Sequence, residues 1–231
     1  MWWSDLFTDM DPTDFFNFSF LPKYGTAFVR GIEYTLLLAV VSVLLAILPA
    51  LGLALMRLSR KKPVRWLSGA YIAVFRSTPM LVQLMIMGFV VFQNSRNFTM
   101  VGALALGINS GAYVAEIIRG GLMSLDPGQM EAGRSLGLGY LPTMTFIVVP
   151  QAFKAILPAL GNEFITLLKD TSLISAIAGK EVVYFAKAIG AKTYDYMFPL
   201  LIIAVMYLIL VLIFTWLQGI LERRLRASDR R

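Results

Sequence analysis

In the stretch TLLKDTSLISAIA, Lys169 and Asp170 stand side by side, followed by Thr171 and Ser172, inside an otherwise apolar run. Charged groups in apolar surroundings are expensive and mark functional positions. Glu163 precedes Asp170 by seven residues, and Asn162 precedes Lys169 by the same interval, so each pair lies roughly on one helix face. Upstream, Asn109 and Glu116 repeat that spacing, and Arg76 interrupts another apolar stretch. The chemistry on offer is recognition rather than bond making. A cation, several carboxylates and neutral hydrogen-bonding groups suit a zwitterion, whose ammonium and carboxylate both need partners away from bulk water. A structural reading stands beside it: Lys169 or Arg76 pairs with an acidic neighbour and locks helices together, and Glu116 pairs with Arg119 one turn on. Catalysis finds little support. The chain has neither histidine nor cysteine, which removes the commonest general base, thiolate metal ligands and disulfides. No catalytic residue and no metal site are assigned.

The elements that must carry these residues are membrane spans. Of 231 residues, 58% are hydrophobic and 15% charged, with a mean hydropathy of +0.70. A soluble domain is about half apolar and about a quarter charged. Apolar runs occupy most of the chain and leave no room for a separate globular unit. The net charge of +7 does not point to nucleic acid, because the basic residues cluster beside apolar runs and read as topology signals. Residues 1–26 mix four aspartates with aromatic residues and carry no Lys or Arg before Lys23. That flank is wrong for a signal peptide and fits a segment resting on the outer face, with a disordered leader as the alternative.

The first span runs from about Thr35 to Met56, its helix starting as early as Ala27, and ends at RLSRKKPVR, a cytoplasmic signature. The next stretch reads either as one long span kinked at Pro79 or, preferred here, as a short interfacial helix, Trp66 to Phe75, a break, and a new helix that starts at Pro79 with Thr78 as its N-cap and reaches Gln93. The third span covers about Thr99 to Ile118 and the fourth about Leu157 to Ala178; residues 179–196 lie outside, and Met197 to Leu217 forms the fifth. ERRLRASDRR closes the chain with five arginines. The reading is an all-α integral membrane protein with five transmembrane helices, N-out and C-in: a membrane domain over 27–221 and a basic cytoplasmic tail over 222–231.

QMEAGRSLGLGYLPTMTFIVVP, residues 129–150, falls in the cytoplasmic loop between the third and fourth spans. Asp126-Pro127-Gly128 supplies a turn, and Glu131 sits in the first turn of a helix, where its charge favours the dipole. Gly133 and Gly137, four apart, are expected to share one helix face and let another surface approach closely.

This stretch resembles the EAA loop of ABC importer permeases: Glu131, Ala132, Gly137, Ile147 and Pro150 keep its spacing, while Gly133 and Val149 stand where Ala and Leu are usual. FRSTPMLVQL (with Ser77 where Gly is usual), INSGAYVAEIIRGG, PGQMEAGRSLGL, LPALGNEFITLLKDTSLIS and LERRLR resemble, in order over roughly residues 27–226, the polar-amino-acid uptake branch, the histidine, glutamine and arginine type. The resemblance implies a type I ABC importer transmembrane domain in a bacterial cytoplasmic membrane, moving a polar amino acid by alternating access. It implies a coupling helix within about 126–142 that seats on an ATPase subunit through Gly128, Glu131, Ala132, Gly133, Ser135, Leu136 and Gly137. It also implies a second permease subunit, identical or sister, and a separate solute-binding protein. No Gly-x-x-x-x-Gly-Lys-[Ser/Thr] occurs in the chain, so ATP and Mg are expected on the partner ATPase and no cofactor on this chain. An ion-gradient-driven transporter would show an internal repeat, and none is evident. A membrane enzyme or scaffold is the remaining alternative.

Overall fold

The computed structural model describes residues 21–228, and the described residues carry helices and no strand. Helix α1 spans Leu21–Leu58, α2 Lys62–Ser77, α3 Met80–Ile86 with a π turn Met87–Val91, and α4 Phe98–Met123. Helix α5 spans Gly128–Ser135, α6 Tyr140–Thr143, α7 Val149–Asp170, α8 Val182–Thr193 and α9 Met197–Ser228. A π turn, Met144–Val148, joins α6 to α7, and a 3-10 helix, Thr171–Ile177, extends α7. Four helices are long and apolar enough to cross a membrane, and the bent α2–α3 pair makes a fifth if counted as one broken span. Of the expected outer segment, residues 1–20 lie outside the described residues, and 21–26 already belong to α1.

The centre of the bundle is the seam between α1 and α4. Thr35, Ala39, Ser42, Ala46, Ala50 and Ala54 place a small residue at about every fourth position of α1, and all are fully buried. Gly107 of α4 meets this face so closely that a Cβ there would come within 2.9 Å of the Leu45 Cβ. With no hydrophobic force between helices in lipid, such close backbone approach supplies the packing. The Ser42 hydroxyl donates to the Ala103 carbonyl at 3.1 Å, and Arg57 Nε reaches Glu116 at 3.5 Å, so α1 and α4 run parallel. Leu44, Leu48 and Leu55 cover the opposite face of α1 and stay exposed, as a lipid-facing surface does.

Two expected elements differ from what is observed. The helix after the break is not capped by Thr78. Its residue before the first turn is Pro79, which makes no side-chain cap, while the Thr78 hydroxyl turns back to donate to the Val74 carbonyl of α2 at 2.8 Å. The axes of α2 and α3 differ by 103° across this break. The fourth span starts much earlier than Leu157, because helical structure is nearly continuous from Tyr140 to Ile177. Pro150 has no N–H to continue an α-helical ladder, and the π turn Met144–Val148 takes the chain into that proline without stopping it.

Residues 179–196, read only as lying outside the spans, contain α8. It is anchored by Glu181, fully buried, whose Oε2 accepts from Val183 N at 2.7 Å and whose Oε1 accepts from Tyr184 N at 2.7 Å. The Tyr207 hydroxyl of α9 donates to the same carboxylate at 3.4 Å, and Val182 N donates to the Thr35 hydroxyl of α1 at 3.2 Å.

Candidate functional site

The break between α2 and α3 leaves backbone carbonyls without helical partners, and buried polar groups must find donors. Gln83 of α3 supplies one: its Nε2 lies 2.9 Å from the Phe75 carbonyl and 2.6 Å from the Thr78 hydroxyl. Asn109 of α4 supplies another, donating through Nδ2 to the Phe75 carbonyl at 3.1 Å and to Gln83 Oε1 at 2.9 Å. The elbow is thereby stitched to the middle of α4. Both amide protons of Asn109 are committed, and its Oδ1 accepts no hydrogen bond among the described residues.

Asn109 also lines a cavity of 140 Å³ enclosed by the elbow (Thr78, Met80), α4 (Asn109, Tyr113) and α7 (Glu163, Thr166, Asp170). Glu163 accepts from the Ser110 hydroxyl at 2.8 Å through one oxygen. Ser110 lies at the middle of α4, so Glu163 sits at that depth in the bundle. Asp170 closes the last α-helical turn of α7, half-buried, and accepts no hydrogen bond among the described residues. Arg76, exposed at the end of α2, lays its guanidinium 5.1 Å from the Tyr113 ring centre, a cation–π contact beside the cavity. Asn109, Glu163 and Asp170 are thus brought together, with Arg76 at the edge.

Other sequence candidates are not in this cavity. Successive helical residues point about 100° apart, and Lys169 accordingly diverges from Asp170. Lys169 and Ser172 line a separate apolar groove against Val183, Leu200 and Tyr207. Thr171 is fully buried; its hydroxyl donates to the Leu168 carbonyl at 2.7 Å and lies 3.5 Å from that of Tyr207. Glu116 forms an ion pair with Arg119 at 2.7 Å and another with Arg57 at 3.5 Å, the pairing outcome anticipated for it. Tyr113, Thr166 and Gln83 were not singled out from the sequence. Tyr113 lies four residues after Asn109 and Thr166 three after Glu163, so helical spacing from those two anchors finds both.

At the end of the bundle where Arg57 and α2 begin, α5 forms a second distinctive feature. Asp126 closes the turn before it, accepting from Gly128 N at 2.8 Å, and the Glu131 carboxylate takes no hydrogen bond among the described residues. Gly133 and Gly137 do not share a helix face. The helix ends at Ser135, and Gly137 adopts φ +79° beyond it. Leu138 N donates to the Gly133 carbonyl and Gly137 N to the Arg134 carbonyl, each at 3.0 Å, the paired bonds of a glycine-terminated helix. Gly133 is buried inside the chain, where a Cβ would collide with the side chain of Thr143. Its smallness therefore serves an internal joint between α5 and α6. Glu131, Ala132, Ser135 and Leu136 remain on the outside, Leu136 with 79% exposure.

Similarity to known proteins extends over most of the chain. The family described as "Binding-protein-dependent transport system inner membrane component" matches residues 42–227. The arginine transport system permease protein ArtQ of Bacillus subtilis (strain 168) is 39% identical over 206 residues, covering 87% of this chain and 93% of the relative. The putative glutamine transport system permease protein GlnP of Rickettsia bellii (strain RML369-C) is 35% identical, over 91% of this chain and all of the relative. A solved structure described as the crystal structure of an amino acid ABC transporter with histidines superposes with a TM-score of 0.84 at 42% identity, covering 90% of this chain and 99% of that one.

Proposed function

Because this chain belongs to the family of binding-protein-dependent transport system inner membrane components, we propose that it is a permease subunit of an ATP-driven importer for a polar amino acid, one with a positively charged side chain. The observation that carries the substrate reading is the cavity between the elbow, α4 and α7. Two carboxylates, Glu163 and Asp170, line it, and no cation does. Asp170 is uncommitted and pairs with a cationic group of the solute. Glu163, held at one oxygen by Ser110, offers its other oxygen to a second amine or guanidinium. Arg76 at the rim is the partner for the solute's α-carboxylate, and Asn109 Oδ1 is a neutral acceptor between them. The name of the arginine-transporting relative agrees with this reading, and those of glutamine and cystine relatives show how far specificity ranges among similar chains.

A cavity of 140 Å³ is small beside the roughly 300 Å³ of an ordinary ligand pocket. A second permease subunit, identical or sister, completes the pathway. The basic cluster Arg57, Arg60, Lys61, Lys62 and Arg65 lies at the same end as α5, and the positive-inside rule supports reading that end as the cytoplasmic one in a bacterial cell. There Glu131, Ala132, Ser135 and Leu136 present a mixed polar and apolar surface to an ATPase subunit, which carries the ATP and Mg. Closure of the ATPase dimer moves α5, and the rigid α5–α6 joint at Gly133 and Thr143 passes that motion to α7, alternating access to the cavity. A solute-binding protein delivers the amino acid at the opposite end.

The test is equilibrium binding of labelled arginine and glutamine to the purified transporter without its binding protein, together with ATP-driven uptake in proteoliposomes. Arginine should bind at least tenfold more tightly, a difference of about 1.4 kcal/mol, and Asp170→Asn should erase the preference. Equal binding of both amino acids would overturn the substrate reading. Uptake that proceeds without ATP on the α5 side would overturn the importer reading.

A further inference from the structure

At the end of the bundle opposite α5, a cavity of 420 Å³ lies between α1, the start of α4 and the segment leading into α8. Its rim carries Arg96 and Lys180, and no carboxylate lines it. Neither cation is in an ion pair among the described residues. They are held at one rim, because Lys180 N donates to the Thr99 hydroxyl in the first turn of α4 at 2.8 Å. Below the rim the character changes abruptly. Leu37 and Val41 of α1 and Met100 of α4 form an apolar floor, with Leu37 58% and Met100 55% exposed, and Tyr34 marks the boundary. This floor lies on α1 and α4, two helices long and apolar enough to cross a membrane, so the groove runs from a charged rim onto an apolar helix surface.

We propose that this groove is a binding site for an anionic phospholipid of the leaflet at that end. The phosphodiester sits between Arg96 and Lys180, the Tyr34 ring packs at the interface, and an acyl chain lies along Leu37, Val41 and Met100. A soluble acidic partner would satisfy the two cations, but it has no reason to meet an exposed apolar floor beneath them. A lipid satisfies both halves at once. The proposal needs only that this end of the bundle meets a membrane surface, and it is independent of the transported solute and of which side is cytoplasmic.

The experiment reconstitutes the full-length permease, in the assembly it forms, into nanodiscs containing equal phosphatidylglycerol and phosphatidylcholine. The assembly is then extracted in mild detergent, and retained lipids are counted by native mass spectrometry. Phosphatidylglycerol should be retained over phosphatidylcholine, and the double substitution Arg96→Ala with Lys180→Ala should weaken that retention on the order of thirtyfold, since each surface cation contributes about a fivefold preference. Met100→Trp keeps both cations, fills the floor and should also expel the lipid. Lys192→Ala, a cation outside the groove, should leave retention unchanged. Equal retention of the two lipids by the wild type overturns the proposal, as does undiminished phosphatidylglycerol retention in both groove variants. So does a double variant that keeps its lipid but loses docking of a soluble binding protein, since the cations then serve that protein.

Discussion

Two carboxylates close together in the chain have opposite surroundings. Glu181 is fully buried, and its oxygens accept from Val183 N, Tyr184 N and the Tyr207 hydroxyl. Asp170, eleven residues earlier, is half-buried and receives no such donor among the described residues. A buried carboxylate whose lone pairs are filled by the chain fastens helices together, here α8 to α9. One left open at a cavity wall keeps its capacity for something that arrives later, because leaving a charge unpaired is costly. Intramembrane charge alone is therefore a poor guide to function, and the state of its hydrogen bonds separates the two roles.

That contrast is open to direct attack. Asp170→Ala should have the largest effect on transport, a loss of tens- to thousandsfold in uptake, since truncating one partner of a desolvated charge pair costs about 2–5 kcal/mol. Assembly measured by size-exclusion chromatography should be unchanged; collapse of the assembly would make Asp170 another Glu181. Glu181→Ala should do the reverse. Loss of the cap, with buried donors left unsatisfied, should lower stability by about 2–4 kcal/mol. Thermal unfolding of the purified protein reads this, and uptake per assembled complex should persist. Gly133→Ala tests a third site, where the chain has left room only for hydrogen. Overpacking against Thr143 should destabilise the α5–α6 joint by about 1–3 kcal/mol and lower the ratio of solute moved to ATP consumed. The smallest effects are expected at an exposed cation and at a carboxylate already paired within the chain. Lys169→Ala should change solute affinity by less than about 0.5 kcal/mol, and Glu116→Gln should change stability by less than about 1 kcal/mol. A tenfold loss of solute affinity in Lys169→Ala would return that residue to the pathway and blur the contrast.

Much of this architecture is legible in the residues. Apolar runs bounded by RLSRKKPVR and ERRLRASDRR mark the spans, and Thr78-Pro79 marks the elbow. Asn109, Glu163 and Asp170 stand out because polar groups among apolar ones are few. Three features escape such a reading, each for a physical reason. Pro150 and Pro158 disguise the first half of the fourth span, since a π turn and a tolerated internal proline are settled by neighbouring packing rather than local propensity. Helix α8 is short, and its buried Val182, Ala186 and Ile189 sit among residues that also suit a loop. Lys169 and Asp170 look like one dipolar unit in the chain, yet helical geometry sends them to different grooves. Gly137 is a related case: its spacing from Gly133 implied a shared face, and its positive φ shows that it terminates the helix instead.

The stitch at Asn109 has a consequence for how such a protein diversifies. Its amide protons hold the elbow at Phe75 and Gln83, and the same residue lines the cavity. Exchange for aspartate would retune the cavity's charge but remove the donor that keeps the break closed. On the proposed reading of the cavity, a new solute preference is reached more readily through Thr166 and Asp170 on α7, whose exchange leaves the elbow stitch and the Ser110–Glu163 bond in place. One wall of the cavity is free to change its chemistry, provided the other wall holds still.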